Sequence, residues 1–167
     1  MKSQSGLTTT ELLTSLVIAG ILTTVAIPIF GASGVDCDNP NAQPGPMMRA
    51  RIAEVTGDLG EIHLALGRYE LSNNRYPASL AEAGLDGATD PWGNPYQYLV
   101  VFGRKEMGPV RKDHNLKPVN TNYDLYSMGP DGRTETPFTS KLGEDDIVMA
   151  NDGDYFGPAC QYTGSGK

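Results

Sequence analysis

The pattern of apolar and polar residues changes abruptly near residue 30. Leu12 to Phe30 is a run of 19 residues without a charged side chain. As a helix it is about 28 Å long, which suits the hydrocarbon core of a bilayer, so residues 7–30 are predicted to form a transmembrane helix. The next residues, 31–46, hold three prolines and three glycines and are predicted to form a linker or an inserted loop.

A second helical pattern follows from about Met47 to Ser72. Its apolar residues alternate at spacings of four and three, which predicts an amphipathic helix with one buried stripe. The stripe consists of Met48, Ile52, Val55, Leu59, Ile62, Leu66 and Tyr69. A face packed on a sheet is one interpretation, and a coiled-coil seam is the other. Gly57, Gly60 and Gly67 each weaken this helix by about 1 kcal/mol relative to alanine, which predicts close packing against a neighbouring element.

Three short segments have the composition of strands. Tyr96 to Phe102, Tyr123 to Met128 and Ile147 to Ala150 are rich in aromatic and β-branched residues. Before the first stands the turn sequence DPWGNPY, whose Trp92 is expected to enter the core. The chain is therefore predicted to be α+β, with an N-terminal hydrophobic helix and a second, amphipathic helix packed on a small antiparallel sheet. Residues 47–167 are expected to form one globular head.

The charge balance excludes some classes of partner. The chain has 13 basic and 20 acidic side chains, for a net charge of −7, which opposes binding to nucleic acid or to anionic lipids. Within this acidic protein, residues 103–122 are locally basic and are interpreted either as a subunit contact or as a solvated loop. The basic residues are Arg104, Lys105, Arg111, Lys112 and Lys117.

Glu11 is a carboxylate close to the start of the apolar segment. A charge at the centre of a bilayer costs about 3 kcal/mol or more, so Glu11 needs an interfacial position or a cationic partner. Alternatively, Thr8 and Glu11 have the spacing of a capping box and only begin the helix.

Near the N-terminus, Gly6 is followed by Leu7, by Glu11 as the fifth residue after the glycine, by Gly20 and by Pro28. This pattern resembles the class III signal of type IV pilins and type II secretion pseudopilins. The resemblance implies that a prepilin peptidase removes residues 1–6 between Gly6 and Leu7 and methylates the new amine. It also implies that Glu11 pairs with that amine on a neighbouring subunit.

The same resemblance implies a location and a set of partners. The chain is expected to cross the inner membrane once, with its head in the periplasm or outside the cell, and to assemble into a homo-oligomeric filament. An inner-membrane assembly platform and minor pseudopilins are the other partners implied. A pseudopilus that drives type II secretion is the function expected, and a surface type IV pilus is the alternative.

The acidic stretch from Ser127 to Asp146 has two interpretations. From composition alone it is either a solvated loop or a calcium site, because calcium binds six to eight hard oxygen ligands. Together with the sequence SMGPDG, it resembles the calcium-binding loop of major pseudopilins. That resemblance implies side-chain ligands from Asp131, Asp145 and Asp146 and a backbone carbonyl ligand from Met128.

Cys37 and Cys160 are the two cysteines of the chain. In an exported protein a disulfide between them is expected, and two unpaired thiols are the alternative. The sequence contains no zinc-ligand spacing and no recognisable set of nucleophile and base. A membrane-anchored enzyme is the third alternative, but no enzymatic activity is predicted because these features are missing.

Overall fold

One long helix, α1, runs from Pro46 to Asn73 in the computed structural model, which describes Val35, Cys37, Asn39, residues 44–114 and residues 117–164. A proline fits the first turn of a helix, where its missing N–H has no partner to lose. The helix ends at Asn74, whose left-handed backbone (φ 53°) lets its N–H donate to the carbonyl of Glu70. The helix predicted over residues 47–72 is confirmed.

The apolar stripe of α1 faces the protein's own sheet. Val55, Leu59, Ile62 and Leu66 are buried, and Ile52 packs against the same core. The sheet of the same chain thus covers the stripe, so a coiled coil is not needed to explain the apolar spacing.

Four antiparallel strands form the main sheet, and a two-stranded ribbon stands beside it. The strands are Gln97–Val100 (β1), Lys112–Asp113 (β2), Lys117–Pro118 (β3), Tyr123–Ser127 (β4), Ile147–Ala150 (β5) and Tyr155–Pro158 (β6). The main sheet has the order β1, β4, β5, β6, and β2 pairs with β3. In register, Tyr98 is opposite Leu125, Tyr126 is opposite Val148, and Val148 is opposite Gly157.

All three predicted strands are present, and the first is shorter than expected. The sequence did not indicate β6, because Gly157 and Pro158 are poor strand formers. Tertiary pairing with β5 supplies the hydrogen bonds that make it a strand. The α+β class with a helix on a small antiparallel sheet is therefore confirmed for the described head.

Strand β5 is buried on both of its faces. Ile147 and Met149 belong to the core beneath α1. Val148 and Ala150 belong to a second cluster on the opposite face, together with Val119, Phe138 and Ala159. This explains the continuous apolar run IVMA, since a strand covered on both faces has no solvent-facing positions to fill with polar residues.

One expectation about packing is wrong, and the expectation for Trp92 is confirmed in part. A Cβ atom at Gly57, Gly60 or Gly67 would meet no atom within 4 Å among the described residues, so the predicted close packing is not found within this part of the chain. Trp92 packs at the edge of the core but remains half-exposed. Its indole N–H has no hydrogen-bond partner among the described residues, and the guanidinium of Arg51 lies 5.9 Å from the ring centroid.

The described residues do not include the predicted leader or the segment 7–30. The predictions for Gly6, Leu7 and Glu11 therefore lie outside them. Among the helices that are described, none combines the length and the apolar character needed to cross a bilayer.

A disulfide joins Cys37 to Cys160 across 123 positions, with their Cα atoms 5.6 Å apart. The expected pairing is therefore present. Cys160 is also held by its backbone, since its N–H donates to the carbonyl of Glu144 at 3.2 Å. The disulfide thus ties the region before α1 to the C-terminal segment and, through it, to the acidic loop.

Removing the disulfide should destabilise the head markedly. Closing a loop of this length lowers the entropy of the unfolded chain, so C37S/C160S is expected to lose about 4–5 kcal/mol of unfolding free energy. Guanidinium unfolding of the detergent-solubilised chain measures this. Reduced wild type should unfold like the double variant. If C37S/C160S unfolds at the same guanidinium midpoint as the oxidised wild type, the expectation is wrong.

Candidate functional site

The turn that contains Asp90 is fastened to the end of β4. The Asp90 carboxylate is buried, with a relative exposure of 4%. Its Oδ1 accepts hydrogen bonds from the backbone N–H groups of Trp92 (3.0 Å) and Asn94 (2.9 Å). Its Oδ2 accepts the hydroxyl of Ser127 at 2.5 Å. One carboxylate therefore both closes the turn and holds the last residue of the strand.

Asn94 extends this connection into the start of the acidic loop. Its Nδ2 donates to the carbonyl of Gly129 at 2.9 Å, and the N–H of Gly129 donates to Oγ of Ser127 at 3.0 Å. The second bond fixes the N–H of the peptide between Met128 and Gly129. The carbonyl of that peptide is the predicted Met128 ligand. Because a trans peptide is planar, this also orients the Met128 carbonyl.

Gly129 brings the two ends of the acidic loop together. Its φ is +64°, and a Cβ atom there would lie 2.5 Å from the carbonyl oxygen of Asp145 and 3.1 Å from its Oδ2. No side chain fits at that distance, and the left-handed backbone also favours glycine. The close approach places the Asp145 carboxylate directly beside the end of β4.

Asp131 and Asp145 form an acidic pair at this point. Partial burial, and next the negative charge of Asp131, raise the pKa of Asp145 to about 6. Asp131 itself accepts the backbone N–H of Arg133 at 2.7 Å, which closes the turn. A carboxylate whose ionisation is disfavoured by a neighbouring negative charge is stabilised by a cation bound beside it.

Asp146 points into a different environment. Its side chain is fully buried and forms an ion pair through Oδ2 with Nη2 of Arg111, and the same Oδ2 accepts the hydroxyl of Thr134 at 2.6 Å. Its Oδ1 is buried and has no partner in the described part of the chain. Burial raises the pKa of Asp146 to about 7, although the Arg111 guanidinium acts in the opposite direction.

Arg111 does not belong to an exposed basic surface. Only 2% of its surface is accessible, and its guanidinium lies 4.4 Å from the ring centroid of Tyr126 and 5.2 Å from that of Phe138. Nη1 donates to the carbonyl of Glu135 at 2.5 Å. The interpretation of residues 103–122 as one solvated or subunit-binding loop is therefore wrong for Arg111, which is a core residue.

The structure brings together part of the predicted calcium set. Asp131, Asp145 and the Met128 peptide meet at the end of β4, whereas Asp146 is directed to Arg111. As they stand, the described residues contain no group of three or more His, Cys, Asp or Glu side chains arranged to hold a metal ion. The calcium site stays a prediction.

Several curated proteins are similar to this chain over most of its length. The type II secretion system core protein G of Pseudomonas aeruginosa is 30% identical over an alignment of 155 residues, which covers 79% of this chain and 87% of the relative. The proteins of the same name from Aeromonas hydrophila and Klebsiella pneumoniae are 28% and 27% identical, over 81% of this chain and 89% and 91% of their own lengths.

The chain belongs to the type II secretion system core protein G family. The resemblance to major pseudopilins is thereby confirmed. These relatives are named as secretion-system proteins and not as enzymes. No protein-family model matches the chain. No solved structure gives a significant match.

Sequence reasoning missed the residues that support the acidic loop in this member of the core protein G family. The sequence pattern indicates only a turn for Asp90 and Asn94, and it assigns no role to Ser127 or Thr134. The spacing of Asp90 and Asn94 within DPWGN was the available signal, since aspartate at the first position of a turn accepts backbone N–H groups two and more residues ahead. Nothing in the sequence indicated that Arg111 would pair with Asp146.

Replacing Arg111 by methionine should leave Asp146 as a buried, unpaired carboxylate. We expect Arg111→Met to cost about 3–5 kcal/mol of unfolding free energy at pH 8. The cost should be smaller at pH 6. The pKa of Asp146 is raised to about 7 with Arg111 in place, loss of the guanidinium raises it further, and a protonated carboxyl group avoids the penalty.

Urea unfolding at the two pH values measures both effects. Arg133→Met is the matched control, because Arg133 lies in the same loop and is exposed. Equal losses for the two variants, or a loss in Arg111→Met that does not depend on pH, would overturn this account of the pair.

Proposed function

We propose that this chain is the structural subunit of a periplasmic pseudopilus that drives protein export by type II secretion. The observation that carries the proposal is its similarity to core protein G relatives over about four fifths of its length. The α+β head described above is compatible with that role. Family membership favours the pseudopilus over a surface type IV pilus, and a structural subunit over an enzyme.

Assembly requires the N-terminal segment. In this proposal a prepilin peptidase cuts between Gly6 and Leu7 and methylates the Leu7 amine, and the segment 7–30 then leaves the lipid to pack against the same segment of neighbouring subunits. Glu11 pairs with the Leu7 amine of a neighbour, which offsets the cost of placing a carboxylate in an apolar environment. The inner-membrane assembly platform and the minor pseudopilins are the partners of this step.

Intact mass of the membrane-extracted protein is the direct test of processing. The mass should lack residues 1–6 and carry one extra methyl group. Glu11→Ala should be processed and stable but absent from sheared filaments, because its partner amine is left without a counter-charge. Glu11→Asp, which keeps the charge, is the matched control and should retain part of the assembly. A full-length mass, or normal filaments from Glu11→Ala, would refute the proposed assembly.

We further propose that the acidic loop binds a structural calcium ion. Asp131, Asp145 and Asp146 would supply side-chain oxygens, and Met128 a backbone carbonyl. Two observations support this ligand set. The negative charge of Asp131 helps to raise the pKa of Asp145, an effect that a bound cation would offset. Oδ1 of Asp146 is buried and has no partner among the described residues. Arg111 uses only the other oxygen of Asp146. Bound calcium would join the end of β4 to the start of β5.

Calcium should raise the melting temperature of the chain. At a free concentration of 100 times Kd, binding stabilises the folded state by about 2.7 kcal/mol. Differential scanning calorimetry with calcium, with magnesium and with a chelator measures the shift. D131N/D145N should melt at the same temperature with and without calcium, while Asp154→Asn, which changes an exposed carboxylate outside the set, should keep the full shift. An unchanged wild-type melt would exclude the site.

A further inference from the structure

A groove runs along the outer side of α1, between the helix and the segment that leads to β1. It has a volume of about 660 Å³. Its lining includes the apolar residues Ile62, Ala65 and Leu85. Leu64, also part of the lining, has 59% of its surface exposed. Leu64 thus adds an exposed apolar side chain to a groove whose lining is partly apolar and partly charged.

The charges of the groove follow a fixed order along α1. Asp58 and Glu61 come first and Arg68 comes last, all three in the lining. Asp58 accepts the hydroxyl of Tyr96 at 2.6 Å, which holds its carboxylate in place. Glu61 and Arg68 are exposed, and neither forms an ion pair with another described residue. The groove therefore presents two negative charges followed by one positive charge.

The loop after β1 has the complementary properties. Phe102 is 71% exposed and Met107 is 38% exposed. Between them the chain places Arg104, Lys105 and Glu106, that is, two positive charges followed by one negative charge. Within the described residues, Lys105 and Glu106 have no ion-pair partner. This order is the inverse of the order found in the groove.

The loop is also held in a defined conformation. Nε of Arg104 donates to the carbonyl of Val100 at 3.0 Å, and the N–H of Phe102 donates to the carbonyl of Asn122 at 2.9 Å. Both ends of the exposed segment are anchored, since Val101 and Val110 are buried. A loop that is ordered before binding loses less conformational entropy when it binds.

We propose that the loop from Phe102 to Met107 of one copy of this chain occupies the groove of α1 on the next copy. Phe102 and Met107 cover the apolar lining, Arg104 and Lys105 face Asp58 and Glu61, and Glu106 faces Arg68. The occupant is a second copy because the complementary surface is carried by the same chain. This inference rests on the proposed filament function and names the contact between heads.

Such a contact has a direct consequence for assembly. It joins two different surfaces, so each copy that is added still presents one free loop and one free groove. Heterologous contacts of this kind propagate into rings or open helical filaments, whereas a contact between two identical patches stops at a dimer. The head contact therefore adds to the association of the N-terminal segments without limiting the length of the filament.

Cysteine cross-linking in filament-forming cells tests the contact. Leu64 and Phe102 are both exposed, so L64C/F102C should leave the core intact. We expect oxidised filaments of the double variant to give a ladder of dimers, trimers and larger species on a non-reducing gel. L64C or F102C alone should give no ladder, and co-expression of the two single variants should give dimers only. A dimer from either single variant indicates a contact between identical patches and overturns the proposal.

Charge reversal tests the pairing itself. Glu61→Lys and Lys105→Glu should each lower the amount of sheared filament about tenfold, because each places like charges opposite one another. E61K/K105E should restore most of the yield. Glu54→Lys is the matched control: Glu54 is exposed on the same helix outside the groove lining, and this variant should assemble like wild type.

The outcomes separate this inference from the function on which it rests. If wild type forms no filament, the proposed function fails. A second outcome is that wild type forms filaments, Glu61→Lys assembles like Glu54→Lys, and the double cysteine variant gives no ladder. In that case the groove contact is wrong and the filament function stands. A loss in both single reversals that the combined reversal does not repair also overturns the pairing of Glu61 with Lys105.

Discussion

The packing of α1 on the sheet is the interaction on which the rest of the head depends. Leu59 and Leu66 are completely buried against a layer that includes Leu125, Ile147 and Met149, and each such side chain contributes about 2 kcal/mol through removal of apolar surface from water. This contact fixes β4 and β5 relative to the helix. The acidic loop connects the ends of those two strands, so the positions of its two ends follow from the packing of the core.

The acidic loop illustrates how a surface loop is positioned by buried polar groups. Asp90 accepts three hydrogen bonds from the backbone of its own turn and from Ser127, and Asn94 holds the carbonyl of Gly129. On the other side, Arg111 and Thr134 hold Asp146. A buried polar group that loses its partner costs free energy. These contacts therefore specify one conformation of the loop more strongly than the exposed residues of the loop do.

The head combines an acidic net charge with faces of opposite local charge. A net charge of −7 keeps isolated subunits apart at long range, but the exposed loop after β1 is locally positive and the groove on α1 is locally negative. Opposite local charges on two different faces favour one orientation of approach over others. Gly57, Gly60 and Gly67 leave room for a Cβ atom within the described residues, and they lie on a helix that also presents Leu64 and Leu71 to solvent.

The sequence by itself determined the elements whose signals are local. The spacing of the stripe from Met48 to Tyr69 specified α1, the apolar run IVMA specified β5, and the motif around Gly6 and Glu11 specified the family that the comparisons confirm. Three features are visible only in the folded structure. Arg111 is buried beside Asp146, YFGP is a strand, and Asp90 accepts a hydrogen bond from Ser127, 37 positions away. Local propensity carries no information about such partners, because pairing across the chain depends on which surfaces the folded core brings together.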